Sequence, residues 1–175
     1  MKTLLVTLVL GIICAAQDSL LQDPCTQVTG PWRTTYTASD NKEAIEENHP
    51  MRVYFRYMQC MSLGLAIRVD FYSKENDQCI LQHQLGLKTS ENFYTTNYAG
   101  MVDFTILYYS DRFMVMYGIN TNNGKTSKVI GAITQNDDIS DAEYQIFLSL
   151  TKAKEIPEDS IIKVIETDTC PDNYY

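Results

Sequence analysis

Positive charge and histidine are scarce in this chain. Lys plus Arg number 14 against 22 for Asp plus Glu, a formal net charge of −8. Duplex nucleic-acid binders draw much of their affinity from cations laid on phosphates, so this balance argues against that class. It argues equally against adsorption to anionic lipid. The two histidines, His49 and His83, and the lack of any Cys-x-x-Cys spacing leave little from which to build a zinc site. No metal or other cofactor is expected. Gly-x-Ser-x-Gly, a phosphate loop and His-Glu-x-x-His are all missing, so no motif points to an enzyme. Asn-x-Ser/Thr is missing too, and no N-glycan is expected. Beyond residue 16 no long apolar run occurs, so no membrane anchor is expected.

What is present begins with an address. Met1-Lys2 is followed by an apolar run from Leu4 to Ile13 and then by the small residues Cys14, Ala15 and Ala16. A basic tip, a short apolar stretch and a small-residue end read as a secretory signal peptide over 1–16. The remaining 17–175 read as one domain, the default at this length. Cys14 leaves with the leader, and Cys25, Cys60, Cys79 and Cys170 remain. Four cysteines in an oxidising compartment suggest two disulfides, and the count alone allows three pairings.

The middle of the chain alternates. Met51, Val53 and Phe55 share one parity and Tyr54 and Arg56 the other; Ile67, Val69 and Phe71 alternate with Arg68 and Asp70; Met114, Met116 and Gly118 alternate with Val115, Tyr117 and Ile119. Period two is the signature of strands with one buried face. Turn signals separate the runs, among them Lys74-Glu75-Asn76-Asp77 and Asn122-Asn123-Gly124-Lys125. Strands are expected near 31–37, 51–60, 65–72, 79–87, 92–98, 102–109, 113–120 and 127–134. The expected fold is all-β, an eight-stranded antiparallel up-and-down barrel, because closure removes exposed edges and eight strands leave room for one small ligand. A single helix should follow: Ser140 and Glu143 have capping-box spacing, and Tyr144, Phe147, Leu150 and Thr151 recur at helical spacing. It should pack on the outside of the barrel. Ile161–Ile165 reads as a short last strand.

The polar residues add little chemistry. His49 falls in the segment expected to cover the barrel mouth and reads as an exposed loop residue. His83 shares parity with Leu81, Leu85 and Leu87, which leaves two readings, a polar group in the cavity or an outward histidine. The acidic pairs Glu46-Glu47 and Asp137-Asp138 read as solvated surface.

At this point the chain resembles the lipocalins. Gly30-Pro31-Trp32 fits the family's Gly-x-Trp at the entry to the first strand, and Asp111 in Tyr109-Ser110-Asp111 matches part of its second motif. Segments such as Pro50-Met51-Arg52-Val53-Tyr54-Phe55-Arg56, Phe71-Tyr72-Ser73-Lys74-Glu75-Asn76, Asn97-Tyr98-Ala99-Gly100, Ile156-Pro157-Glu158-Asp159 and Thr167-Asp168-Thr169-Cys170-Pro171 are similar to the odorant-binding and aphrodisin-like branch. The family's third motif carries a basic residue near the Trp. Here Ala132-Ile133-Thr134-Gln135 has none, so neutral contacts should hold Trp32. The branch often has Cys-x-x-x-Cys on the second strand, and Gly64 stands where the second Cys would be.

The resemblance implies a secreted, non-enzymatic carrier of a small hydrophobic, odorant-like or lipid-like molecule in a glandular fluid, as a monomer or weak homodimer. The alternatives are a lipocalin that acts through its surface loops on another protein, as a binder or inhibitor, and an isomerase-type lipocalin with a reactive thiol in its cavity. The resemblance also implies the disulfide Cys79–Cys170. Cys25 and Cys60 are then left to pair, with free thiols or an intermolecular Cys60 link as the alternatives. Inward parity nominates Met51, Val53, Phe55, Val69, Phe71, Leu85, Tyr98, Val102, Phe104, Met114, Met116, Val129, Gly131 and Ile133 as cavity residues, with Gly118 and Gly131 leaving room for the ligand. Tyr98 is nominated as the polar handle. The segment of about Ser39–Pro50 should form a flap, with a helical turn over 41–46 and Ile45 facing inward.

Overall fold

The alternating runs become strands wherever two-residue turns can join them. The computed structural model describes residues 24–90 and 92–173, and the leader expected at 1–16 lies outside the described residues. A short helix α1 (Pro24–Gln27) leads into β1 (Gly30–Pro31) and β2 (Arg33–Ser39). Then come β3 (Tyr54–Met61), β4 (Ala66–Glu75), β5 (Gln78–Ser90), β6 (Phe93–Asn97), β7 (Met101–Ser110), β8 (Phe113–Asn122) and β9 (Lys125–Thr134). The helix α2 (Asp141–Ala153) and a two-residue strand β10 (Ile162–Lys163) complete the chain. Asn76 and Asp77 link β4 to β5 with φ of 50° and 63°, and Asn123 and Gly124 link β8 to β9 with φ of 50° and 74°. Left-handed backbone at both central residues is the turn whose twist matches the flanking strands.

The sheet order is β1-β3-β4-β5-β6-β7-β8-β9-β2-β10, antiparallel throughout. Its two ends are joined by one residue, Trp32. On one side of it Gly30 lies opposite Met58, and on the other Arg33 lies opposite Thr134. The first strand therefore changes partners at Trp32, and the sheet curls closed. Counting β1 and β2 as one, the barrel has the eight strands expected, and β10 is an addition. It lies on the free edge of β2, with Ile162 opposite Thr37, and so occupies the side on which β3 would otherwise follow. The helical turn Val164–Thr167 continues from it onto β3, where Tyr54 Oη and Thr167 Oγ1 are 3.2 Å apart. The last strand is thus shorter than the expected Ile161–Ile165. The second barrel strand also starts later than expected, at Tyr54, because Arg52 binds the carbonyl of Ile45 and the hydroxyl of Thr167 and holds 51–53 within the flap.

The closed end is a plug. Trp32 is buried with Val28, Met58, Met114 and Ile133, and its indole N–H donates to the Val28 carbonyl at 2.7 Å, a neutral acceptor. Cys25 and Cys60 are joined beside it, and Cys79 is joined to Cys170. Outside the barrel, α2 has the capping box its sequence foretells, with Ser140 Oγ accepting from the Glu143 amide and Glu143 Oε2 accepting from the Ser140 amide at 2.7 Å. Such a cap stabilises a helix by about 1 kcal/mol. Phe147 and Thr151 are buried against Ala38, Phe113, Val115 and Ala132, on the outward faces of β2, β8 and β9.

Candidate functional site

Strand parity gives the barrel an inner wall, and above the Trp32 plug that wall does not meet itself. The space left is a cavity of about 120 Å³. Val69 and Phe71 on β4, Val102 and Phe104 on β7, and Met116 and Gly118 on β8 supply most of its sides. Phe55, Val129, Gly131 and Ile133 complete them, with Met51, Val53 and Tyr98 toward the mouth. Phe71 meets Tyr98 edge-on at 5.0 Å and Phe55 at 6.0 Å, so aromatic rings brace one another around the space. An apolar cavity of about 150 Å³ holds a benzene. This one is slightly smaller, so as its side chains stand it is matched to a compact ligand of about six heavy atoms, and a longer one requires the wall to shift. A wider hollow of about 290 Å³ sits at the mouth between the flap and the β8–β9 turn, but Asn41, His49, Asn120, Asn122 and Lys125 make its wall polar.

Two glycines shape the chamber in opposite ways. A Cβ on Gly86 would fall 2.5 Å from Phe104 Cζ, so only glycine lets that ring reach the β5 wall. A Cβ on Gly118 would meet its nearest atoms at 3.7 Å, an ordinary contact, so this glycine leaves real space.

Thirteen of the fifteen residues nominated from sequence line this cavity. Leu85 does not. It points outward and is 48% exposed; Leu87 and, at the β3–β4 turn, Leu63 and Leu65 are more exposed still. The register explains the correction: Val69 lies opposite Gln84 and Ile67 opposite Gly86, so Gln84 and Gly86 share the inward face of β5. Met114 does point inward but lies below the cavity, in the plug with Trp32. His83 is on the outer face with Leu85, its Nδ1 2.7 Å from Asp70 Oδ1, and Arg68 Nε donates to the same oxygen at 2.9 Å.

Sequence reasoning missed Thr34, Thr37, Gln84, Gly86, Thr96 and Tyr117 as lining residues. For Gln84 and Gly86 a signal existed: counting residue by residue from the Asn76-Asp77 turn places Gln84 opposite the inward Val69. No comparable signal marks the threonines. The hydroxyls are largely spoken for. Thr37 donates to the Ile130 carbonyl at 3.0 Å, Thr96 to Gln84 Oε1 at 3.2 Å, and Tyr98 to the Pro50 carbonyl at 2.8 Å. Burial holds the Tyr98 phenol above its ordinary pKa; the Ser73 hydroxyl opposes this and the Glu75 carboxylate adds to it. No lining residue carries a charge.

The flap has the expected helical turn, Lys42–Ile45, with Ala44 and Ile45 buried, although Ile45 does not line the cavity. Tyr98 is the link between flap and chamber, since its ring is in the wall and its hydroxyl holds Pro50.

The Lipocalin / cytosolic fatty-acid binding protein family model matches residues 29–168. This chain is a lipocalin. It is similar to the lipocalin Cav p 2.0101 of Cavia porcellus, 36% identical over 98% of this chain and 99% of that one. Among solved structures it resembles aphrodisin, a sex pheromone from female hamster, with a TM-score of 0.80, 29% identity, and coverage of 82% of this chain and 99% of that one. It also resembles bovine odorant-binding protein in complex with undecanal, with a TM-score of 0.61, 26% identity, and coverage of 86% and 97%. This lipocalin thus groups with odorant-binding and pheromone lipocalins, as its sequence segments imply.

Proposed function

We infer that this lipocalin is a secreted carrier that holds one small, mostly apolar molecule inside its barrel and releases it through the flap. The observation that carries the reading is the enclosed apolar chamber above a Trp plug, in a family whose bovine member is known with undecanal bound. Burial of apolar ligand surface, at roughly 25 cal/mol per Å², is the driving term for capture in such a chamber. The leader-like segment 1–16 and the two disulfides support an extracellular, glandular setting. A carrier rather than an enzyme is favoured because the lining offers no thiol and no charged group, and Cys25, Cys60, Cys79 and Cys170 are all in disulfides.

The test is native mass spectrometry of the protein purified from its source fluid, followed by organic extraction and probe displacement with an apolar panel. A released small apolar compound and micromolar displacement are expected. An intact fold that binds no member of the panel overturns the reading.

A second reading, recognition of another protein through the outer surface, rests on the exposed Leu63, Leu65, Leu85 and Leu87. Sedimentation equilibrium over a wide concentration range reads its simplest form, self-association.

A further inference from the structure

Gln84 is the odd residue in the chamber. It sits on β5 opposite Val69, among side chains that are mostly apolar, and no charged group is near enough in the lining to explain it. Its surroundings are specific. The β5–β6 ladder ends at Leu87 opposite Thr95, so from there toward the mouth the two strands have no further backbone pairing. Thr96 on β6 reaches across that gap, and its hydroxyl donates to Gln84 Oε1 at 3.2 Å. The bond fixes the carboxamide by its oxygen. Both amide N–H groups of Gln84 are left without an acceptor among the described residues, in a wall that faces the cavity.

Gln84 is half-buried and its amide nitrogen faces open space in the chamber, so whatever occupies that space, water or ligand, supplies its acceptor. Thr37 and Tyr98, which also line the chamber, direct their hydroxyl hydrogens to backbone carbonyls instead. The lining also holds no cation to offset a carboxylate, and burying an unpaired carboxylate is prohibitive.

We propose that the Gln84–Thr96 pair is a polar subsite that selects, among small apolar ligands, those carrying one neutral acceptor oxygen, a ketone, aldehyde, ester or amide carbonyl, and rejects carboxylates. The proposal rests on the carrier reading above and adds to it which functional group the carrier reads. The ligand's carbonyl oxygen accepts from the Gln84 amide while its hydrocarbon part lies against Phe71, Val102 and Phe104.

Calorimetry with three compounds of nearly one shape tests it: ethylbenzene, acetophenone and phenylacetate, each with the wild-type protein and with Gln84→Met. Loss of one neutral hydrogen bond changes an affinity by about three- to tenfold. In Gln84→Met, acetophenone is expected to weaken by that factor, while ethylbenzene is unchanged or tighter. Phenylacetate at neutral pH is expected to bind wild-type protein at least about a hundredfold more weakly than acetophenone, given the cost of burying its charge. Gln84→Leu, which removes the amide donors without adding a charge, is expected to lose acetophenone in the same way, so the question survives if one variant folds poorly. An equal effect of both variants on ethylbenzene and acetophenone, or phenylacetate binding as tightly as acetophenone, overturns the proposal and leaves the carrier reading standing. Failure of ethylbenzene and acetophenone alike to bind wild-type protein overturns the carrier reading itself, and the subsite with it.

Discussion

Arg56 and Asp168 meet in a two-pronged pair, Nη1 and Nη2 donating to the two carboxylate oxygens at 2.9 and 2.7 Å, with their side chains only 2% and 1% exposed. Arg56 also donates to the carbonyls of Cys170 and Pro171 and lies over the ring of Tyr72. The pair therefore clasps the C-terminal segment to the outside of the barrel. Removing Asp168 leaves the buried Arg56 charge uncompensated, and removing Arg56 leaves Asp168 only the longer contact with Arg33 Nη1 at 4.0 Å. Asp168→Asn and Arg56→Met are each expected to cost about 3–5 kcal/mol, read as a lower urea midpoint with an unchanged slope. The double replacement by apolar residues should recover part of that loss. Single variants within about 0.5 kcal/mol of wild type would mean the clasp carries no stability.

The two disulfides differ in reach, with a sequence separation of 35 for Cys25–Cys60 and 91 for Cys79–Cys170. Chain-entropy arithmetic gives about 3–5 kcal/mol for each, the longer loop contributing more. Non-reducing peptide mapping is expected to find both links, and Cys79→Ser with Cys170→Ser to be the more damaging double variant. A Cys60 that alkylates in unreduced, monomeric protein would break the first of these expectations.

Gly118 and Gly86 give opposite outcomes from similar changes. Gly118→Leu meets only ordinary contacts at its Cβ and projects into the chamber, so it is expected to keep the fold and lower affinity for any ligand at least tenfold. Gly86→Ala drives a methyl into the Phe104 ring and is expected to cost about 1–3 kcal/mol. Thermal denaturation beside probe displacement separates the two effects. A Gly118→Leu protein that binds like wild type would place the ligand elsewhere.

The Tyr98–Pro50 bond joins chamber to flap. Tyr98→Phe removes one hydrogen bond, worth about 0.5–1.5 kcal/mol, and is expected to speed ligand release about two- to tenfold in stopped-flow displacement. Because burial raises the phenol's pKa, folded protein stays protonated there when the unfolded chain has begun to ionise. Stability should accordingly fall as pH rises beyond about 10, and not before on this residue's account. With no charged lining group, affinity for a neutral ligand is expected to be flat from about pH 5 to 9. A sigmoid change within that window would show a titrating group the cavity wall does not contain.

Much of this was legible in the residues. Alternation and turn signals place the eight barrel strands, with Asn76-Asp77 and Asn123-Gly124 marking two of their turns, because both signals are local. The helix cap is local as well. What alternation does not say is which face is inside. On β5 the leucines hold one parity and the glutamines the other, and burial of leucine is the ordinary expectation. A ligand chamber reverses it, since its wall is not core and tolerates a glutamine that has work to do. The break of the first strand at Trp32 and the placement of β10 are long-range pairings, and no local pattern encodes them.

That break has a consequence for how the chain comes off the ribosome. Arg33 finds its partner at Thr134 and Thr37 its second partner at Ile162, so the contacts that shut the barrel join its earliest strand to its latest. Until synthesis passes those residues, the growing sheet keeps two open edges and has no interior. Closure by such distant contacts is slow compared with hairpin formation. The closed chamber thus depends on residues from both ends of the domain being in place.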